Sequence, residues 1–194
     1  MIDAAVAAIR AGEPVVLPTD TVYGLCAEPT ARAARLVARL KGREERQPTA
    51  LLAPSVDTLL ELVPELPERV LRALLPGPYT LILSNPSHRL PWLGGQSAAL
   101  GVRVPRLPEQ TASVLEEAGA VLATSANLHG GPDPRRVEDV PPEIRAACAA
   151  ILDGGELPGT PSTVLDLTGD EPRVVREGAV PAAEALATVD GLRE

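Results

Sequence analysis

The feature that most constrains this chain is a short apolar strand that ends in a proline and three small polar residues. Residues 15–17 form a β-branched, apolar run typical of a buried strand. Pro18 ends the run, and Thr19-Asp20-Thr21 follows with hydroxyl and carboxylate groups. Ligands of open α/β sheets bind beyond strand ends, so this stretch predicts either a binding site or a Ser/Thr turn that caps the strand.

Short strands and helices interleave along the rest of the chain without strict βαβ regularity. Apolar runs and turn residues predict strands at 15–17, 49–53, 79–83, 98–104, 121–123, 162–167 and 173–176. Helical spacing and capping residues predict helices at 2–11, 31–40, 55–62, 67–75, 109–118, 141–152 and 181–188. The pattern therefore predicts an α/β fold, a single domain over residues 1–194 with one twisted mixed sheet and flanking helices.

Composition narrows the class of function. The 194 residues carry a net charge of -8 and are only 2% aromatic, which disfavours a general nucleic-acid surface or base stacking. Cys26 and Cys148 are too few for a disulfide framework, and neither a signal peptide nor a membrane-length apolar run is visible. We expect a cytoplasmic protein with no membrane association, in which any anion site is a local cluster.

Three charged or polar groups lie where such a site could form. Arg103 interrupts an apolar strand, so it either pairs with an acid or faces a ligand. Ser125 and Asn127 follow the strand at 121–123, where a ligand-facing turn and a plain turn are both consistent with the pattern.

The single lysine of the chain is a further candidate for such an anion site. Of the 18 basic residues, Lys41 alone is lysine, and it lies on a charged loop two residues before Arg43. The pair can point at one anion, with Lys41 as a compact point charge on phosphate, or it can be a solvated cluster at a helix C-terminus.

Several familiar chemistries are missing from the sequence. It contains neither a P-loop nor a dinucleotide Gly-x-Gly-x-x-Gly motif, and its two His and two Cys lie too far apart for a dedicated zinc site. It has no Gly-x-Ser-x-Gly nucleophile elbow either. What remains is hydroxyls, arginines, one lysine and one amide, which bind and orient anions. No protein metal site is predicted.

Six short motifs occur in an order that resembles the YrdC family. They are Pro18-Thr19-Asp20-Thr21-Val22-Tyr23-Gly24-Leu25, Lys41-x-Arg43, Pro76-Gly77-Pro78-x-Thr80, Val102-Arg103-Val104-Pro105, Ser125-Ala126-Asn127 and Ser162-Thr163-Val164-x-Asp166. The resemblance covers about residues 10–180 and corresponds to the short form of the family, without the additional C-terminal domain of longer relatives. Characterised members are threonylcarbamoyl-adenylate synthases of tRNA modification.

The resemblance implies a concave ligand cavity on the twisted sheet and a reaction of L-threonine, bicarbonate or CO2, and ATP. The products are threonylcarbamoyl-AMP and pyrophosphate. Motif by motif, the resemblance assigns one set of residues to contacts with ATP and another to contacts with threonine. The ATP contacts are Lys41, Arg43, Ser125, Asn127 and Arg176, the first two also catalytic, and the threonine contacts are Thr21, Arg103 and Ser162.

The same resemblance implies Mg²⁺ held mainly by substrate phosphates, and an indirect link to tRNA through a threonylcarbamoyl-transferase complex. Two departures from the family pattern concern the site. Glu44 follows Arg43 where relatives commonly have proline, and Leu52 occupies a position where several relatives carry histidine.

Three other functions compete with the synthase. The first is a non-catalytic module that binds nucleotide or double-stranded RNA on the same fold. The second is a carbamoyl-transfer domain of the hydrogenase-maturation type, whose other segments are not found in this sequence. The third is a paralogous branch of unclear activity, which the Ser125-Ala126-Asn127 motif disfavours.

Overall fold

Helices and strands alternate along residues 1–45, 47–93 and 98–192, which are the residues described by the structure, a computed structural model. The helices are α1 (Ile2–Arg10), α2 (Ala31–Leu40), α3 (Val56–Leu62), α4 (Glu68–Leu74), α5 (Glu109–Ala118), α6 (Pro142–Ala147) and α7 (Ala182–Gly191). The strands are β1 (Val15–Pro18), β2 (Tyr23–Ala27), β3 (Ala50–Leu52), β4 (Tyr79–Ser84), β5 (Ala99–Arg103), β6 (Val121–Ser125), β7 (Ala150–Ile151), β8 (Thr163–Asp166) and β9 (Arg173–Arg176).

The described strands form one mixed sheet, which confirms the predicted fold class. Their order across the sheet is β7-β1-β2-β6-β3-β5-β4-β8-β9. The pairs β1–β7, β3–β5 and β4–β8 are parallel, and the other neighbours are antiparallel. Because β1 and β2 pair antiparallel, residues 19–22 form the turn of a hairpin.

The two faces of the sheet bury two different apolar clusters. Successive side chains of a strand point to opposite faces. Accordingly, Val16 and Leu122 pack in a cluster with α2, α3, α4 and α7. Their neighbours Val15, Leu17 and Val121 pack in a second cluster with α1 and α5. The continuous apolar run of β1 is therefore explained by burial on both faces.

The second cluster covers only part of its face. It draws on β1, β2, β3 and β6, and it contains no residue of β4, β8 or β9 among those described. On β4 and β8, Leu81 and Leu165 point into the first cluster, whereas Thr80, Ile82 and Val164 point to the other side and line a cavity. The cavity thus occupies the part of the sheet that α1 and α5 leave uncovered.

Most predicted elements are confirmed, and their ends follow local capping. Thr30 accepts a hydrogen bond from the Ala33 amide at 3.3 Å at the start of α2. Ser55 accepts one from the Thr58 amide at 3.1 Å at the start of α3. Each cap satisfies an N–H that the first helical turn leaves unpaired.

The predicted helix at 141–152 is wrong in its second half. α6 ends at Ala147, and Ala150 and Ile151 instead pair in parallel with β1. The Ala149 amide donates to the Pro14 carbonyl at 2.9 Å and the Leu152 amide donates to the Val16 carbonyl at 3.0 Å. The open edge of β1 offers these backbone partners, and this pairing outweighs the helical spacing of the segment.

Two further features complete the outline. β2 is absent from the sequence prediction because Gly24 and Cys26 carry little strand signal, and β6 runs two residues further than predicted, to Ser125. None of the described helices combines the length and the apolar character needed to cross a bilayer.

Two leucines on one helix test the packing of the first cluster. Leu59 is fully buried and Leu62 is 38% exposed, both on α3. We expect Leu59→Ala to lower the free energy of unfolding by about 2–5 kcal/mol, because it removes apolar contacts and leaves a cavity. Leu62→Ala should lower it by less than about 1 kcal/mol. Urea denaturation followed by circular dichroism measures both, and equal losses would contradict the assigned packing.

Candidate functional site

The uncovered part of the sheet holds a cavity of about 540 Å3. This volume lies within the usual range for small-molecule sites. The wall combines strand residues of β2–β6, β8 and β9 with the turn at residues 19–22. Its polar and charged lining residues are Thr19, Thr21, Thr49, Thr80, Arg103, Thr124, Ser125, Asp133, Ser162, Asp166, Thr168, Arg173 and Arg176.

The turn between β1 and β2 is a capped turn, as one prediction for this stretch has it, and it also forms part of the cavity wall; ligand binding there stays a prediction. Thr19 Oγ1 donates to the Val22 carbonyl at 2.7 Å and lies 3.4 Å from the amides of Thr21 and Val22. Its hydroxyl therefore closes the turn. Thr21 is 1% exposed yet reaches the cavity, with its hydroxyl 3.4 Å from Asp20 Oδ1.

Arg103 pairs with an acid, which confirms one of the two expectations for a charge inside an apolar strand, and it also lines the cavity. Its Nη2 donates to Asp20 Oδ1 at 2.8 Å, and the two side chains are only 11% and 10% exposed. Burial raises the pKa of the Asp20 carboxyl against the attraction of Arg103, and burial lowers the pKa of the Arg103 guanidinium. The attraction within the pair offsets part of the desolvation of each ion.

The pair is nevertheless incompletely satisfied. Asp20 Oδ2 and Arg103 Nε are both buried and have no hydrogen-bond partner. A guanidinium presents five N–H donors in a planar fork suited to carboxylates. Arg103 is therefore held in place by Asp20 while it lines the cavity.

Ser162 and Arg176 form another part of the wall. Ser162 Oγ lies 2.8 Å from Thr80 Oγ1, and Arg176 donates to the Ser162 carbonyl through Nε at 3.1 Å and Nη2 at 2.9 Å. Arg176 is exposed, whereas Ser162 is 3% exposed. A hydroxyl deep in the wall and a guanidinium at its outer part are thereby linked.

Ser125, Asn127 and Lys41 form a hydrogen-bonded cluster at the end of β6. Ser125 lines the cavity and donates to Asn127 Oδ1 at 2.7 Å. Lys41 Nζ donates to Asn127 Oδ1 and to the Asn127 carbonyl, each at 2.7 Å. Lys41 is 4% exposed, and neither it nor Asn127 is among the lining residues.

Arg43 also lies behind the cavity wall. Its guanidinium donates to the Pro48 carbonyl at 3.2 Å and to the Thr49 hydroxyl. Pro48 and Thr49 line the cavity. Burial lowers the pKa of the Arg43 guanidinium. The structure thus brings five predicted residues to the wall (Thr21, Arg103, Ser125, Ser162 and Arg176) and places Lys41, Arg43 and Asn127 one layer behind it.

Sequence reasoning misses several members of the wall. Thr80 belongs to a quoted motif but received no role, and Asp133 and Thr168 lie in loops without a motif signal. Only the pairing of β4 with β8 brings Thr80 to Ser162. Leu52, at the position where relatives carry histidine, packs in the second apolar cluster and does not line the cavity. In the loop after Arg43, residue 46 lies outside the described residues.

Two carboxylates face the cavity. Asp166 accepts from the Thr168 amide and hydroxyl through Oδ1 and from Arg173 through Oδ2, so both of its oxygens are engaged. Asp133 has one long contact, 3.4 Å from Asn127 Nδ2. No cluster of three or more His, Cys, Asp or Glu suited to a metal occurs within the described residues. A cation here would need ligands from a substrate, with Asp133 as the available protein oxygen.

Comparison with known proteins points to one family. The Sua5/YciO/YrdC model, described as telomere recombination, matches residues 7–178. A putative threonylcarbamoyl-AMP synthase of Mycobacterium tuberculosis is 38% identical over 196 residues, covering 97% of this chain and 88% of that protein.

Solved structures agree in fold. The crystal structure of P. abyssi Sua5 complexed with L-threonine matches with a TM-score of 0.88 and 32% identity, covering 97% of this chain. The chain spans 57% of that Sua5 chain. The crystal structure of E. coli YciO matches with a TM-score of 0.81 and 28% identity, covering 95% of this chain and 92% of YciO.

The buried lysine predicts how stability changes with pH. Burial, assisted by the charge of Arg43, lowers the pKa of Lys41 from 10.5 to about 8, against the attraction of Asp133. Between pH 8 and 10.5 the unfolded chain therefore holds more protons on this residue than the folded chain does, and stability rises with pH. We expect the difference in free energy of unfolding between wild type and Lys41→Met to move in favour of wild type from pH 7.5 to 10. A difference that stays constant over this range, measured by urea denaturation, would contradict the lowered pKa.

Proposed function

The chain belongs to the Sua5/YciO/YrdC family, and we propose on that basis that it is a threonylcarbamoyl-AMP synthase. It joins L-threonine, bicarbonate or CO2, and ATP into threonylcarbamoyl-AMP and releases pyrophosphate. The observation that carries the proposal is that one cavity is lined by Arg103 and Thr21 together with Ser125 and Arg176. Those are the groups expected to hold an amino acid and a nucleotide side by side.

The reaction needs positioning more than a protein nucleophile. The amino nitrogen of threonine forms a bond to CO2 and loses a proton, which gives a carbamate. A carbamate oxygen then forms a bond to the α-phosphorus of ATP as the bond to pyrophosphate breaks. Catalysis of this kind depends on aligning the reactants and neutralising phosphate charge, which suits a wall of hydroxyls and cations.

At the threonine end, Arg103 binds the amino-acid carboxylate. Its guanidinium is fixed by Asp20 and lines the cavity. A carboxylate accepts two parallel N–H bonds from such a fork. Thr21 and Ser162 are nearly fully buried and line the cavity, which supports their role as bonds to the polar groups of threonine.

At the nucleotide end, Ser125 and Arg176 contact ATP from the wall of the cavity. Lys41, Arg43 and Asn127 remain predicted contacts of the phosphates, although their polar atoms engage protein acceptors in this structure. Mg²⁺ would be held mainly by the phosphates. Asp133, whose carboxylate lies 3.4 Å from Asn127 Nδ2, would be the protein oxygen available to it. When bound, the cation neutralises charge on the transferring nucleotide.

The wider setting of this proposal follows from the product. Threonylcarbamoyl-AMP passes to a threonylcarbamoyl-transferase complex that modifies tRNA adenosine, so the link of this chain to tRNA is indirect. The chain acts as a single YrdC-like domain in the cytoplasm. The net charge of -8 supports an indirect link, because direct binding of RNA relies on a basic surface.

Pyrophosphate release tests the function directly. We expect release from ATP and Mg²⁺ only when both L-threonine and bicarbonate are present, since the carbamate must form before the nucleotide is attacked. A control lacking threonine gives the background. Nucleotide binding without threonine-dependent release would refute the synthase and leave a non-catalytic nucleotide or double-stranded RNA module.

Arg103→Lys tests the carboxylate contact. Lysine keeps the charge but loses the bidentate fork, so we expect kcat/KM for threonine to fall by about 10- to 100-fold, while the dissociation constant of ATP changes by less than about threefold. Arg106→Lys, three residues away and exposed, is the matched control and should leave both unchanged. Equal kinetics for the two variants would remove Arg103 from the threonine site.

A further inference from the structure

Gly101 lies inside β5 and lines the cavity. A glycine within a strand weakens it, because glycine loses more conformational freedom on folding and offers no side chain for packing. A left-handed backbone is one reason for such a glycine, but the φ angle of Gly101 is not positive. The backbone conformation of this residue therefore does not require glycine.

The surrounding protein leaves room for a side chain at this position. A Cβ on Gly101 would lie 3.8 Å from both Ala50 Cα and Thr80 Cγ2, which are ordinary van der Waals distances. Gly24, also on the cavity wall, differs, because a Cβ there would approach Thr19 Cγ2 to 3.2 Å. Packing thus accounts for glycine at position 24 and does not account for it at position 101.

Gly101 lies between the two ends of the cavity. Ala50 pairs with Ala123 on one side and lies beside Gly101 on the other, so these three small residues form one row across the sheet. Arg103 and Ser125 each follow this row by two residues, or about 7 Å along a strand. Because β3 runs parallel to β5 and antiparallel to β6, Arg103 and Ser125 lie on opposite sides of the row.

The row is open toward the cavity. Ala50 and Gly101 belong to interior strands of the sheet, yet both are only partly buried, and both line the cavity. Glycine in a strand interior often marks a place where a ligand approaches the backbone closely. Access of a ligand is therefore the explanation that remains for glycine at this position.

We propose that Gly101 is a specificity-determining residue, whose missing side chain leaves the space in which the amino acid bound by Arg103 meets the nucleotide bound by Ser125. The inference rests on the proposed function for the identity of the two substrates. The carbamate oxygen must approach the α-phosphorus closely for the bond to form. A methyl group at position 101 would occupy the space between the two substrates and keep these atoms apart.

Binding measurements on Gly101→Ala test this placement. By isothermal titration calorimetry with bicarbonate present, we expect the dissociation constants of L-threonine alone and of ATP alone to change by less than about threefold. The dissociation constant of L-threonine in the presence of saturating α,β-methylene-ATP should rise by about tenfold or more, since one methyl group in a closely fitted site has an effect of this size. Unchanged binding in all three titrations would overturn the proposal, and so would a loss confined to one substrate measured alone.

Turnover should follow the joint binding of the two substrates. We expect kcat/KM for threonine, measured by pyrophosphate release, to fall by about tenfold or more in Gly101→Ala and further in Gly101→Val. Wild-type kinetics in Gly101→Ala would contradict the assigned role of the glycine.

Stability separates a role in the cavity from a role in the fold. Gly101→Ala should have a urea midpoint at or above that of wild type, because alanine fits the backbone and restricts the unfolded chain. The matched control is Gly191→Ala, at an exposed position of α7 where a Cβ would meet no atom within 4 Å. This control should leave binding and kinetics unchanged. A lower midpoint for Gly101→Ala would show that the fold itself needs the glycine and would refute the proposal.

Failure of this inference can be told apart from failure of the proposed function. A wild-type protein that binds both substrates but releases no pyrophosphate would refute the synthase, and the titrations would still decide the role of Gly101. A wild-type protein that turns over while Gly101→Ala matches it would refute the role of Gly101 alone. A wild-type protein that binds neither substrate would refute both.

Discussion

The architecture depends on one constraint: successive side chains of each strand point to opposite faces of the sheet, and helices cover those two faces unequally. α2, α3, α4 and α7 pack against one face, whereas on the other face the cluster with α1 and α5 extends from β1 only as far as β3. Side chains that point to the uncovered region cannot all be apolar, and there the strands carry Thr80, Arg103, Ser125 and Asp166. The cavity thus lies where α1 and α5 no longer cover the sheet. Polar residues of five strands line it, because the two-residue alternation of each strand directs their side chains to this face.

Three cations lie around this cavity, Lys41 buried and Arg43 and Arg103 partly buried, and each has a different set of acceptors. Arg103 pairs with a carboxylate, Arg43 bonds a carbonyl and a hydroxyl, and Lys41 bonds only uncharged oxygens. Burying a cation is costly unless its donors are met. Burial, assisted by the charge of Arg43 and opposed by that of Asp133, lowers the pKa of Lys41 to about 8. Charge near the site is therefore fixed before any substrate arrives, which lowers the reorganisation needed on binding.

Local signals in the sequence predict much of the fold, and contacts between distant segments explain what they miss. The caps at Thr30 and Ser55 lie within three residues of the amides they bind, so the sequence reveals them. The second half of the predicted helix at 141–152 is wrong because that segment pairs with β1, which lies more than 130 residues away in sequence. The wall residues Thr21, Arg103 and Ser162 are found through motifs, but the place of Lys41 behind Ser125 depends on tertiary packing that no spacing encodes.

β9 lies at one end of the sheet and all four of its residues are exposed, including the adjacent Val174 and Val175. An open edge with an apolar centre invites pairing with another chain. Arg173 and Arg176 flank those valines, and charged residues at an edge oppose such self-association. The same two arginines reach the cavity. Replacing either arginine would therefore change the cavity wall and the protection of the open edge against self-association together.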